Sequence, residues 1–265
     1  MSALAGFLRP TALKAVFLAE WVLFILIEML RGRLESSRQI LVVSYPLAFF
    51  YLLACVLSLL SQRVGQIARG WRLLVLCASL TAVDQLGKAI VVALVPFRTS
   101  IPVIPDWLHL AHERNTQGSW LISSFDLPGI STAFLVVVAV LGVVVSLLVH
   151  CYYVSARRKS VWADIAFVGL CAGLASWACD VGLRGYIVDY IQLPGVVTAD
   201  GKDILLTTGV AALLAETLEN PKISLRWEGW RSEAREVVQL VRDVVRFYAE
   251  KLRCLQSYIQ RIGKR

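Results

Sequence analysis

The chain has 265 residues, a formal net charge of +8, and 57% apolar against 17% charged residues, with a mean hydropathy of +0.66. Water-soluble domains run at about 45–50% apolar and about 25% charged, so this composition points to a bilayer and excludes intrinsic disorder. Six dispersed cysteines without a C-x-x-C pair exclude a disulfide-stapled module and predict neither a disulfide nor a zinc site.

Crossing a hydrocarbon core of about 30 Å takes about 17–25 mostly apolar helical residues. The first such run, 13–30, is interrupted by Lys14, Glu20 and Glu28 and reads as either a span or an interfacial helix. Residues 39–62 and 132–149 are uncharged and predict spans outright, while 73–95 is apolar except for Asp84 and Lys88. Residues 161–179 are apolar after Asp164, and 204–218 form a shorter run. The stretch 96–131 holds Pro96, Pro102, Pro105 and Pro128 around FRTSIPVI, which predicts short strands and turns.

From Arg231 to Ile262 apolar residues recur at steps of three and four, one face of an amphipathic helix. The tail from Lys222 carries eleven Lys/Arg against five Asp/Glu, a net of +6. Beside membrane spans such a tail predicts attraction to anionic lipid headgroups rather than to nucleic acid.

Lys/Arg bias in short loops sets orientation. Arg63, Arg69 and Arg72, with Arg157, Arg158 and Lys159, put both of their loops and the tail in the cytoplasm, leaving 96–131 and 181–203 outside. Arg31, Arg33 and Arg38 then fall on the outer side, against the rule.

Charges within spans cost about 2.5–3.5 kcal/mol each, yet carboxylates gather at the outer edge of the later spans. Asp84 and Lys88, spaced i,i+4, share a helix face and can pair. Asp189 and Asp203 stand at opposite ends of one short outer loop, so both reach the same membrane boundary. Two carboxylates held together in a low dielectric share one proton, the arrangement with which an aspartic hydrolase activates water. His109 and His112 lack an obvious third ligand and read as hydrogen-bonded interfacial residues, and Trp107 and Trp120 as headgroup-level aromatics.

These residues resemble the motifs of the lipoprotein signal peptidases, the signal peptidase II family. D-Q-x-x-K is matched by Asp84, Gln85 and Lys88, and R-N-x-G-A-A-F is similar to Arg114 through Trp120 with Asn115 kept. G-N-x-x-D-R-x-x-x-G-x-V-x-D-F is similar to Ser176 through Tyr190, with Asp180, Gly185 and Asp189 in register. F-N-x-A-D followed by Gly aligns Asp203 and Gly209, although Ala199-Asp200 also mimics the A-D pair. The chain departs from the pattern at Trp177, Val181, Asp200 and Lys202.

The resemblance implies an all-α integral membrane protein with a four-helix core and a small extracytoplasmic β platform from 96–131. Two extra N-terminal spans and a C-terminal amphipathic helix would be added to that core. Residues 1–72 would form the extra membrane segment, 73–219 the catalytic core and 220–265 the tail. The implied activity is aspartic endopeptidase cleavage of a diacylglyceryl-modified prolipoprotein before its lipidated cysteine, at the outer face of the bacterial inner membrane. Asp189 and Asp203 would be catalytic. Asn115, Asp84, Lys88, Asp180, Gly185 and Arg114 would bind substrate or brace the site, with no metal or other cofactor. The alternative is a catalytically impaired relative that binds lipidated or membrane partners.

Overall fold

The computed structural model describes residues 6–68, 70–116, 132–156, 159–220 and 230–262. Seven helices are defined there: α1 (Ala12–Leu30), α2 (Ser37–Arg63), α3 (Trp71–Leu94), α4 (Thr132–Ala156), α5 (Val161–Arg184), α6 (Gly201–Glu219) and α7 (Trp230–Ile262). Four strands, β1 (Ser100–Ile104), β2 (Leu108–Asn115), β3 (Ile187–Leu193) and β4 (Val197–Ala199), form one antiparallel sheet in chain order. Helices α2, α3, α4 and α5 are long and apolar enough to cross a membrane. Helix α1, expected as either a span or an interfacial helix, and α6, expected as a short span, are shorter, carry charges and pack against each other.

Helix α5 is the central element and is buried along most of its length. Its contact with α6 is backbone on backbone: a Cβ on Gly169 would lie 2.6 Å from the Leu205 carbonyl oxygen, and one on Gly209 would lie 2.7 Å from the Leu170 nitrogen. Small residues let membrane helices approach this closely, so dispersion contacts accumulate along the whole seam. One turn further along α6, Ala211, Ala212 and Ala215 accept Phe17 of α1, whose ring lies 5.9 Å from that of Trp162.

The platform differs from expectation in its composition. Half of it comes from 187–199, where the sequence predicts only a short outer loop. Strand β3 pairs with β2 through Glu113↔Asp189 and Asn115↔Ile187, so Asp189 lies within a strand rather than at a loop end. The left-handed Gly185 (φ 76°) ends α5 and turns the chain into that strand.

The three arginines that break the charge rule each have an acidic partner. Arg31 and Arg33 lie 3.8 and 3.6 Å from the buried Glu28, and Arg38 pairs with Asp106 in the β1–β2 turn. Gln39 adds a bond to the Gly195 carbonyl in the β3–β4 turn, so the start of α2 is tied to both turns of the sheet.

Candidate functional site

At the sheet-side ends of α3, α5 and α6 the carboxylates converge. The buried Lys88 ammonium lies 2.7 Å from Asp84, 2.5 Å from Asp180 and 2.6 Å from Asp200. Asp84 also accepts from the Ser176 hydroxyl and, at 3.2 Å, from that of Tyr190. Asp180 is held from its other side by Arg184 at 2.7 Å and by the Gln85 amide at 3.0 Å.

The start of α6 supplies the other half. Asp200 is the N-cap and Asp203 the N3 residue of a capping box: Asp203 N–H donates to Asp200, and Asp200 N–H donates to Asp203 Oδ2, both at 3.2 Å. This reciprocal arrangement satisfies free amides of the first turn. Lys202, also buried, bridges Asp200 Oδ1 and Asp203 Oδ1 at 2.9 Å each. Gly201 has to be glycine, because a Cβ there would run into Asp84 and the Tyr190 hydroxyl.

Asp189 faces this helix start from β3. Its Oδ2 accepts from Asn115 Nδ2 at 3.0 Å, while the buried Oδ1 has no hydrogen-bond partner among the described residues. One oxygen each of Asp189, Asp200 and Asp203 lie within 4.8 Å of one another. Burial pushes the Asp189 carboxyl up to about 6; Asp203 adds to the rise, and Lys202, the Asn115 bond and Lys88 oppose it. Burial and Asp203 likewise raise Asp200, against the pull of Lys202 and Lys88.

Five carboxylates thus meet three cations, Lys88, Lys202 and Arg184, and the shortfall of positive charge favours retention of protons in the group. Two sets of three oxygens, from Asp84, Asp180 and Asp200 and from Asp189, Asp200 and Asp203, are close enough to hold a metal ion. In the first set the Lys88 ammonium already contacts all three acids, and in the second the Lys202 ammonium pairs with Asp200 and Asp203.

Of the residues singled out from the sequence, Asp84, Lys88, Asp180, Asn115, Asp189 and Asp203 are brought together. Gly185 contributes its turn. Arg114 does not join them: its guanidinium stacks between Phe97 and Tyr186, 4.4 and 4.7 Å from their ring centroids. The strand geometry explains this, since neighbouring residues of β2 point to opposite faces. The remainder of the second motif, 117–120, lies outside the described residues. His109 bonds Ser100 Oγ and His112 bonds the Val95 carbonyl.

Ser176, Tyr190, Arg184 and Glu20 were missed. Ser176 and Tyr190 both donate to Asp84, and their signal was the need of a buried carboxylate for donors. Glu20 of α1 faces Thr207 and Asp203, and its signal was an acidic residue inside an apolar run.

Apolar helices long enough to span a bilayer, capped by a sheet over a buried carboxylate cluster, define a polytopic membrane protein. The family model described as Signal peptidase (SPase) II matches residues 76–219, just over half of the chain, and the chain belongs to this family of proteases. The lipoprotein signal peptidase of Staphylococcus carnosus is 29% identical over 140 residues, 51% of this chain and 82% of that protein. That of Enterococcus faecalis is 30% identical over 115 residues, 43% of this chain and 66% of that protein. A solved bacterial membrane enzyme at 17% identity superposes with a TM-score of 0.51, covering 60% of this chain and 99% of the other, which shows a shared fold.

Proposed function

We propose that the protein is a membrane aspartic endopeptidase that removes the signal peptide from diacylglyceryl-modified prolipoproteins, cutting before the lipidated cysteine. The observation that carries this reading is the meeting of Asp189 and Asp203, from two different elements, in a cluster with more carboxylates than cations. In the reaction one of the two, ionised, takes a proton from water, which attacks the scissile carbonyl. The other, protonated, donates to the developing oxyanion, and the roles exchange as the amine leaves. Asn115 orients Asp189, so it acts on the dyad as a positioning residue as well as being a candidate contact to substrate backbone. Lys88, Asp84 and Asp180 hold the α3, α5 and α6 ends together, and no metal or organic cofactor enters a step.

The site is assigned to the extracytoplasmic face of the bacterial inner membrane, on the strength of the Lys/Arg distribution. Residues 73–219 act as the catalytic core, with 1–72 as an added membrane segment and 220–265 as a tail. A second reading is a catalytically impaired relative that binds lipidated partners. It is favoured by Trp177, which stands where the motif has Asn and whose buried indole N–H has no partner among the described residues.

The test is turnover of a synthetic peptide carrying a diacylglyceryl cysteine by the purified full chain, with products identified by mass. The endopeptidase reading expects cleavage before that cysteine and none of the unmodified peptide. Binding of the lipidated peptide without cleavage overturns it in favour of the second reading.

A further inference from the structure

Helix α7 carries a face that the catalytic reading does not use. Val238, Val241, Val245, Leu252, Leu255 and Ile259 are all exposed. At about 100° per residue they occupy a sector of about 100°, while Arg235, Arg242, Arg246 and Arg253 form a stripe about 40° wide along one edge of it. Asp243 and Glu250 fall on the opposite side of the helix. Around its midpoint α7 meets the end of α4 remote from the sheet: the Tyr248 hydroxyl donates to the Leu148 carbonyl at 3.2 Å, and the Phe247 and Tyr152 rings lie 5.7 Å apart.

We infer that α7 lies in the bilayer surface opposite the carboxylate cluster, its apolar face among the acyl chains and its arginine stripe on anionic phospholipid headgroups. Two features favour this occupant over a second copy of the helix. Tyr248 lies within the apolar sector, about midway along the helix, and is already engaged by α4, so a straight partner helix running along the seam would collide with that span. The bilayer, by contrast, is what surrounds α4, whose Val137, Val140, Leu141, Val144 and Val145 are exposed. Apolar insertion with flanking cations is how interfacial helices bind membranes, at about 1 kcal/mol per basic residue near an anionic surface. More basic groups lie at the same end of the spans: Arg72 and Lys159 line a cleft of about 830 Å³ with Gln66 and Trp71. This placement does not depend on the chemistry proposed for the dyad.

The test is photo-crosslinking of the full-length chain with a benzophenone amino acid at position 245 or 255, and at 257 on the polar side as a control. The chain is reconstituted in phosphatidylcholine alone and with about one third phosphatidylglycerol. The inference expects lipid adducts at 245 and 255 but not at 257. Adding phosphatidylglycerol should raise their yield at least about fivefold, and that gain should disappear in the Arg235→Gln, Arg242→Gln, Arg246→Gln, Arg253→Gln variant. Chain-to-chain adducts at 245 and 255 would overturn it in favour of a helix pair. Absence of lipid adducts in both membranes, or equal yields with and without phosphatidylglycerol, would also overturn it.

Discussion

Two clusters of buried carboxylates lie at opposite ends of the same helices, and they are built differently. At the end remote from the sheet, Asp164 accepts from the Ile67 N–H at 2.8 Å and pairs with His150 at 3.0 Å. Glu216 accepts from the Tyr153 hydroxyl at 2.5 Å and from Ser160. All four oxygens have hydrogen-bonding or ion-pair partners. At the sheet side Asp189 keeps one buried oxygen without a partner among the described residues, Asp203 is half exposed, and acids outnumber cations. A saturated buried carboxylate ties elements together, whereas an under-bonded one crowded by other acids retains capacity to accept and release a proton.

The sharpest way to break this contrast is to neutralise one acid in each cluster. Asp189→Asn and Asp203→Asn should each lower turnover of a lipidated peptide by about 10³-fold or more, non-additively in the double variant, without unfolding the protein. Asp164→Asn should do the reverse, costing about 1–3 kcal/mol in thermal or denaturant unfolding while turnover per folded molecule is kept. Turnover that survives loss of Asp189, or fails with Asp164, would erase the distinction.

Lys88→Met tests how far the sheet-side cluster is also structural. It leaves Asp84, Asp180 and Asp200 without their shared cation, and should cost about 3–5 kcal/mol in unfolding measurements. Conservation of stability would show that the three acids take up protons instead.

The raised Asp189 carboxyl gives a pH signature. Its folded-state value of about 6 exceeds the ordinary 3.8, so the folded form holds the proton more tightly. Stability from this group is therefore complete below about pH 4 and lost as pH rises through about 6. Asp189→Asn removes that loss, and should be more stable than the parent by on the order of 1–3 kcal/mol at pH 7.5, with the difference vanishing near pH 3.5. A pH-independent difference would place the effect in packing.

The smallest effect sharpens the contrast within the sheet-side cluster. Lys202 is the strongest of the influences that lower Asp189, so Lys202→Ala should move the acid limb of the activity profile upward by about one unit in a folded protein. An unmoved limb would show that the ammonium serves the capping box alone.

Much of this was legible from local patterns. The runs 39–62 and 132–149 became α2 and α4 with ends shifted by a few residues, and i,i+4 spacing joined Asp84 to Lys88. Choosing Asp203 over Asp200 by its distance to Gly209 picked one member of a pair that the capping box holds together. Strand β3 was not legible, because IVDYIQL owes its extended state to pairing with β2, a tertiary cause. The Lys88–Asp200 contact was hidden for the same reason: 112 positions separate its partners, and the packing of α3 and α6 on either side of α5 brings them together.

Helix α6 belongs to both clusters. Glu216 is fastened near one end and Asp203 near the other, thirteen residues or about 20 Å apart along a helix. The glycine seam between them leaves no room for the rod to rotate or slide against α5. Substitutions on the outer surface of α6 are then absorbed locally, but its length is a different kind of variable. One residue added between Asp203 and Glu216 would turn one end by about 100° relative to the other. Either Glu216 leaves Tyr153 and Ser160, or Asp203 swings away from Asp189. The helix therefore works as a gauge block, and variation in its residue count is penalised far more severely than variation in its side chains.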